Sequence, residues 1–542
     1  MLGLDRNREV VFLLALLVVS LVLRVSIVRT DRVVRWDEPD YLIAGRNLFT
    51  GKGYAVTSRP EIHYAPLFPV VTGSLYALTH DMKMNSDIVY ILFGTLALLP
   101  CYWLSRQTFG RPAAVMAATF MCVFPSLTSA VLFWGTMLEP LYLFLLYGAL
   151  CCVWHAWEHQ KTTAYLAAGA LFGLAYLTKP EAIVYLVVMF GLLALGMIRR
   201  SFLSRRQAAG RLAAGLLAFA LVVSPYLAFL YRHTGRLLVT GKLGVTYVAG
   251  LGAVVHDPGM YDRALSRLDA AGEEIIWFSE DRFQYSIWDE VAADAGGFLR
   301  RIWMNVNALE SALLARDVFP VYLLLLLGLA WFASPWNEER AWKEAFLAAA
   351  VAPTAVFLPF HIELRYFAPV FPVLLLWLAR GVLEFGDWLQ QTCASWQSKG
   401  RCTRASVTSV LLIGSVLTAY FLILQPRVLR KGLANMNLSR REAGLWLREN
   451  SPADSLIMSR DPEVPFYADR RWVASPNEEF SRFVAYVRKR GADYLVVDER
   501  EATVVRPQLS FLMDQGSSPA GLVRLYTAAD PRGKTVVFRV EY

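Results

Sequence analysis

Charge is scarce in this chain. Asp, Glu, Lys and Arg make up 18% of its 542 residues, against 56% hydrophobic, where a soluble protein carries about a quarter charged. That excludes an ordinary soluble globular protein. Short alternating apolar-polar segments are also missing, which excludes a β-barrel. No glycine-rich nucleotide fingerprint is found. The six cysteines match no zinc spacing. Cys101, Cys122, Cys151 and Cys152 fall in apolar runs, and Cys393 and Cys402 in the polar loop Asp387–Arg404, which counting spans from the arginine-rich Arg199–Arg211 loop puts inside. No extracytoplasmic disulfide is therefore implied. No small-residue cleavage site follows the first apolar run, so a retained signal-anchor helix is expected there. Basic patches interleaved with aromatics in a soluble module are absent too. The net charge of +9 is then read as lysine and arginine gathered in cytoplasmic loops, not as nucleic-acid binding.

What the chain does have is apolar runs near the ~20 residues that cross a bilayer. They fall at Glu9–Val28, Ile88–Leu104, Ala113–Phe124, Val131–Trp154, Ala164–Leu177, Ala182–Ile198, Leu212–Tyr231, Val318–Phe332, Ala345–Phe360, Tyr366–Phe385 and Val407–Leu424. The expected fold is a polytopic α-helical membrane protein of about eleven spans, with a C-terminal α/β domain. Residues 1–424 form the transmembrane unit, with long polar segments at 29–87 and 232–317, and residues 425–542 the soluble domain. Within the polar segments, Tyr41–Phe49, Leu67–Leu78 and Trp288–Leu314 read as amphipathic surface helices. The soluble domain reads as helices at Arg440–Glu449 and Glu479–Arg490, with strands at Ser455–Ser459, Asp493–Val497, Leu522–Thr527 and Thr535–Val540.

The short arginine-rich loop Arg199–Arg211 should be cytoplasmic. Counting spans from it puts the N-terminus inside. Both long polar segments, the 178–181 hairpin tip, His361–Arg365 and the C-terminal domain fall outside. The expected location is a cell inner (plasma) membrane.

This alternation collects unusual polar residues on one side. Arg35-Trp36-Asp37-Glu38-Pro39-Asp40-Tyr41 places three carboxylates within four residues just beyond the first span. With it go His63, Tyr64, Glu139, Lys179, Glu181, His361, Glu363, Arg365 and Tyr366. Charged groups gathered at span ends point to a polar cavity at the membrane surface. Each has a plainer reading. Asp37 and Glu38 could be solvated loop acids, Lys179 a snorkelling lysine, and His361, Glu363 and Arg365 a salt-bridged cap. The run from Tyr64 to Pro69 could be interfacial anchoring. Together they suit one chemistry. A carboxylate can act as general base toward an incoming hydroxyl or amine. Lysine and arginine can hold a lipid-borne phosphate and stabilise it as it departs.

The chain resembles the GT-C glycosyltransferases, in the branch of protein O-mannosyltransferases and lipid A aminoarabinose transferases. The matching pieces are Asp37-Glu38, Tyr64-Ala65-Pro66-Leu67-Phe68-Pro69, Gly173–Lys179 and Arg365-Tyr366-Phe367-Ala368-Pro369. Pro462–Tyr467 and Gly491–Val497 match further on. Many members have two prolines where this chain has Ala65-Pro66. The resemblance implies a polyprenyl-phosphate sugar donor and inverting transfer to an extracytoplasmic acceptor, a protein hydroxyl, a glycolipid or a cell-envelope glycan. It implies Asp37 as catalytic base, and Glu38 as its assistant or a metal ligand. Lys179 and Arg365, with Tyr366, would contact the donor phosphate, and His63, Tyr64, Glu139 and Glu181 would bind substrate or support the site. No cofactor is required by this reading; a divalent metal on His361 and Glu363 is the one candidate. The alternative is a transporter or flippase of a lipid-linked saccharide. Such a protein should show internal repeats and mid-membrane polar groups, and no clear repeat is visible. The topology predicts that a tag at Tyr542 is labelled from outside the cytoplasm by an impermeant reagent; labelling only after the inner membrane is permeabilised would overturn it.

Overall fold

In hydrocarbon a backbone must satisfy its own hydrogen bonds, so apolar runs become helices. The computed structural model describes residues 6–200, 204–284, 286–333, 335–394, 399–514, 519 and 521–542; the side chain of Cys402 lies outside the described residues. Among them, six helices are long and apolar enough to cross a membrane. These are Asn7–Val28, Met82–Val123, Glu139–His159, Ala182–Arg199, Arg205–Thr234 and Thr403–Ala434. Thr162–Thr178 and Val321–Phe332 are shorter apolar helices.

Met82–Val123 is broken at Gly110, whose φ of 79° is open to glycine, two residues before Pro112 and between the expected spans Ile88–Leu104 and Ala113–Phe124. Other expected spans are interrupted, and proline marks most of the breaks. The expected run from Val131 begins instead as the tight turn Ser129–Phe133, and its helix opens only at Glu139, followed by Pro140. Glu338–Val351 gives way to the 3-10 turn Ala352–Phe357 at Pro353, and Val370–Ala394 starts after Pro369. The last helix, Lys399–Ala434, runs past residue 424, and the next one opens at Leu438.

The first polar segment carries helices Glu38–Phe49 and Leu67–Ser74. They cross in near-contact, because a Cβ on Gly73 would lie 2.4 Å from the Gly45 carbonyl oxygen. In the second polar segment the expected helix Trp288–Leu314 is two helices, Ile287–Ala293 and Ala295–Leu313. They part at Asp294, whose carboxylate accepts the Gly297 N–H at 2.7 Å and caps the second.

The C-terminal unit is a five-stranded mixed sheet. Its strands are β1 (Leu456–Ser459), β2 (Arg471–Ala474), β3 (Tyr494–Asp498), β4 (Leu522–Asp530) and β5 (Gly533–Val540). The order is β2-β1-β3-β5-β4. β1 runs parallel to β2 and β3, while β5 is antiparallel to β3 and β4. Successive side chains alternate between faces. Ile457, Tyr494 and Val496 pack with Ala443 and Leu447 of helix Leu438–Asn450. On the other face, Met458, Leu495 and Val497 pack with Trp472 and Phe483, and this core continues into Ile43, Ala44, Val56 and Ile275. The sheet therefore shares its core with the polar loops of the helical unit.

One buried charge network fixes the first loop against the bundle. Arg32 is wholly buried. Its guanidinium grips Glu38 bidentately at 2.8 and 3.0 Å and donates to Asp87 at 2.6 and 2.9 Å. The Ser86 hydroxyl adds a 2.7 Å bond to Glu38. Removing one partner of a buried set leaves charge uncompensated, so Arg32→Ala should cost about 3–5 kcal/mol, read by thermal unfolding in detergent.

Candidate active site

The helix Glu38–Phe49 starts with adjacent acids, and the turn sends them in opposite directions. Glu38 points inward and is fully buried on Arg32 and Ser86. Asp37 occupies the N-cap position but makes no capping bond. It turns outward into a cavity of about 430 Å³ between the helical unit and the sheet domain. The Glu38 oxygens accept from Arg32 and Ser86, so its surroundings are those of a structural anchor and not those expected of a base's assistant or metal ligand.

Two cations from distant segments meet Asp37. Lys242 Nζ lies 3.2 Å and an Arg365 guanidinium nitrogen 3.3 Å from Asp37 Oδ2. Burial alone would raise this carboxyl, but Lys242 and Arg365, with bonds from Lys242 and Tyr64, outweigh it and hold the pKa at about 2. The Tyr64 hydroxyl stands 3.2 Å from Asp37 Oδ1 and 3.3 Å from Asp40 Oδ2. A phenol has one proton to give. Burial, with Glu61 and Asp37 nearby, raises the Asp40 carboxyl well above its ordinary value, so Asp40 can supply the second proton of this chain. Lys242 also sits over the Tyr64 ring, 4.3 Å from its centre.

Arg365 is shared. Its Nε lies 2.5 Å from Glu363, which also pairs with His361 Nε2 at 3.0 Å. Burial opposes ionisation of Glu363, but Arg365 and His361 prevail and hold it at about 2. The Tyr366 hydroxyl reaches the same His361 nitrogen at 3.3 Å. His361 and Glu363 are thus engaged with each other, Arg365 and Tyr366. Among the described residues no three His, Cys, Asp or Glu side chains form a group that could hold a metal ion, so this donor set does not fit a metal.

Lys179 lies behind this wall. Its Nζ is 3.4 Å from Glu181 and 3.7 Å from Glu139, and donates to the Arg365 carbonyl at 3.5 Å. It also faces the Tyr142 and Tyr366 rings. Glu139 accepts from Thr136 at 2.7 Å and is fully buried. His63 is buried away from the cavity. It stacks on Trp277 at 4.5 Å and bonds Glu61 at 3.1 Å, and the same Glu61 oxygen accepts the backbone N–H of Tyr64 at 3.3 Å. Its geometry is that of a support for Tyr64.

Three features were not anticipated from the sequence: Lys242, the use of Asp40, and Trp36. Lys242 had one weak signal, a lysine at the start of the apolar helix Leu243–Val254. Trp36 has a left-handed backbone, φ 58°, a conformation costing about 1–3 kcal/mol in a non-glycine residue. Its indole packs over Gly135, where a Cβ would come within 2.9 Å of the ring. Arg440, Arg460 and Glu501 of the sheet domain complete the opposite wall.

The chain is a multi-pass membrane protein with a polar, aromatic-lined cavity where its helical unit meets the sheet domain. Residues 63–229 match the sequence model of the dolichyl-phosphate-mannose-protein mannosyltransferase family. Among solved structures, ArnT from Cupriavidus metallidurans bound to undecaprenyl phosphate aligns with TM-score 0.56 at 15% identity, covering 99% of this chain and 98% of that one. The archaeal oligosaccharyltransferase AglB from Archaeoglobus fulgidus, in complex with an inhibitory peptide and a dolichol-phosphate, aligns with TM-score 0.53 at 14% identity, covering 96% of this chain and 74% of that one. No curated protein sequence matches. The shared architecture is the GT-C fold, the resemblance carried by the sequence motifs.

The depressed Asp37 pKa makes a linkage prediction. Stability drawn from its cations is fully present above the unfolded carboxyl's pKa of about 3.9 and is lost as pH falls through the folded value. Lys242→Met should therefore lower the melting temperature at neutral pH by an amount that fades between about pH 4 and pH 2. In an Asp37→Asn background the part of this loss that depends on pH should vanish, leaving only the contact of Lys242 with the Tyr64 ring.

Proposed function

We propose that this protein is a membrane glycosyltransferase. It moves a sugar from a polyprenyl-phosphate donor to an extracytoplasmic acceptor with inversion at the anomeric carbon, and Asp37 is the general base. Residues 1–424 would carry the catalysis, and residues 425–542 would cover the site from outside the cytoplasm. The observation that carries this reading is the ionised Asp37 between Lys242 and Arg365 at a cavity edge.

The chemistry follows from those charges. In the resting site the two cations neutralise Asp37 and make it a weak base. A donor phosphate is the natural competitor for them, and arginine offers it a bidentate grip. Once the phosphate engages Arg365 and Lys242, Asp37 loses its compensation and gains a negative neighbour, so its pKa rises. Donor binding thereby strengthens the base. An acceptor hydroxyl beside Asp37 then attacks the anomeric carbon from the face opposite the phosphate. Its proton passes to Asp37, the bond from that carbon to the phosphate oxygen breaks, and the electron pair leaves with the polyprenyl phosphate. Arg365, Lys242 and Tyr366 stabilise the departing charge. Lys179 acts from behind, holding the Arg365 carbonyl and Glu181. Asp40 and Tyr64 orient Asp37 through the shared phenol.

Turnover with a panel of polyprenyl-phosphate sugars tests this. Asp37→Asn should lose about 10²–10⁴-fold in kcat while folding normally; near-normal turnover would remove Asp37 as base. Arg365→Ala and Lys242→Ala should weaken donor binding, and unchanged affinity in both would undo their assignment. In the wild type the acid limb of kcat/KM should lie near the free-enzyme value of about 2, and that of kcat at higher pH.

A further inference from the structure

The motif Pro462–Tyr467 has no role in the chemistry above, yet the loop that carries Asp37 hangs from it. Residues 33–36 lie outside helix and sheet, so their N–H groups need partners from elsewhere. Side chains more than four hundred residues away supply them. The Val34 N–H donates to the Tyr467 hydroxyl at 2.6 Å, and the Trp36 N–H to Glu463 Oε1 at 3.0 Å. The Val33 N–H meets Met436 Sδ at 3.1 Å. Glu463 is itself held by Arg440 at 2.9 Å, and Arg440 by Asp498 at the end of β3 at 2.6 Å. Arg35 returns the contact by donating to the Asn435 carbonyl at 3.2 Å. The bond to Glu463 is made at Trp36, the residue with the left-handed backbone, and Asp37 follows it directly.

From this we infer that Glu463 and Tyr467 of the sheet domain are positioning residues for Asp37, and that the soluble domain is a structural part of the catalytic centre. Their side chains act as acceptors for a backbone that has none of its own. They hold Trp36 in the left-handed turn that aims Asp37 at Lys242 and Arg365. A base displaced by an ångström loses much of its effect without any change in what binds the donor. The inference rests on the reading of Asp37 as base, and the experiment separates the two.

Full-length wild type, Glu463→Ala, Glu463→Gln and Tyr467→Phe are compared in detergent by amide hydrogen exchange over residues 30–40 and by turnover of the polyprenyl-phosphate sugar that the wild type uses. Arg441→Gln is the control, since it breaks the exposed ion pair with Asp31 between the same two units and leaves the backbone acceptors in place. Glu463→Ala should speed exchange in this peptide by about tenfold or more and lower kcat at least as much, with KM for the donor within about twofold. Gln keeps an acceptor oxygen, so Glu463→Gln should retain most of both. Tyr467→Phe should speed exchange at Val34, and Arg441→Gln should match wild type. Exchange in Glu463→Ala and Tyr467→Phe indistinguishable from wild type would overturn the inference, as would an unchanged kcat in both. So would equal losses in Glu463→Ala and Glu463→Gln, which would assign the effect to charge instead of to the acceptor. Should Asp37→Asn retain turnover while these variants lose exchange protection, the base reading fails and the clamp on the loop stands.

Discussion

A carboxylate can stay ionised beside an apolar bundle only if cations are brought to it, and the site is built around that constraint. Asp37 sits at position 37, while its cations come from positions 242 and 365. No local segment could provide both. The long polar segments bring Lys242 across one side of the cavity, and the proline-broken run before Val370–Ala394 brings Arg365 across the other. The interruptions before Glu139 and between Val351 and Val370 thus have a consequence: they free irregular backbone near the cavity, where charged side chains can converge. Continuous helices would have buried those positions among apolar neighbours.

The same constraint divides the work of neighbouring acids. Glu38 is fully buried and fully paired, a state with no capacity left for a substrate. Asp37 is paired with groups that a phosphate could draw away. Asp40 is half-buried with Glu61 and Asp37 nearby, and keeping its proton is the cheaper outcome. Three carboxylates within four residues therefore reach three electrostatic states, set by which way a helix start turns each one.

This explains what the sequence could and could not disclose. The acid cluster, Arg365 with its following aromatic, and Lys179 were visible because each breaks an apolar pattern. The pairing of Glu38 with Arg32 was not visible, since the two acids differ by one position and only the handedness of the turn separates inward from outward. Lys242 lies in a polar stretch, where one more lysine is no anomaly. The division of Trp288–Leu314 at Asp294 was hidden because an acid is ordinary on an amphipathic face; here it serves as a cap. Pro353 and Pro369 break two of the expected runs, since proline cannot donate the next helical hydrogen bond.

The attachment of the sheet domain combines two kinds of force, and the combination limits how it can move. Its apolar core runs on into Ile43 and Ala44 of the helix that follows Asp37, and into Val56 and Ile275. Alongside it, Arg506, fully buried, joins Asp262 of the second polar segment to Glu501 and Ser475 at 2.6–2.8 Å. Lifting the domain away would expose that apolar surface and break the Arg506–Asp262 ion pair, while Arg506 would keep Glu501 within its own domain. A rigid docking of this kind suits a domain whose side chains supply hydrogen bonds to the loop that carries Asp37, because those bonds hold their geometry only while the two units stay in register.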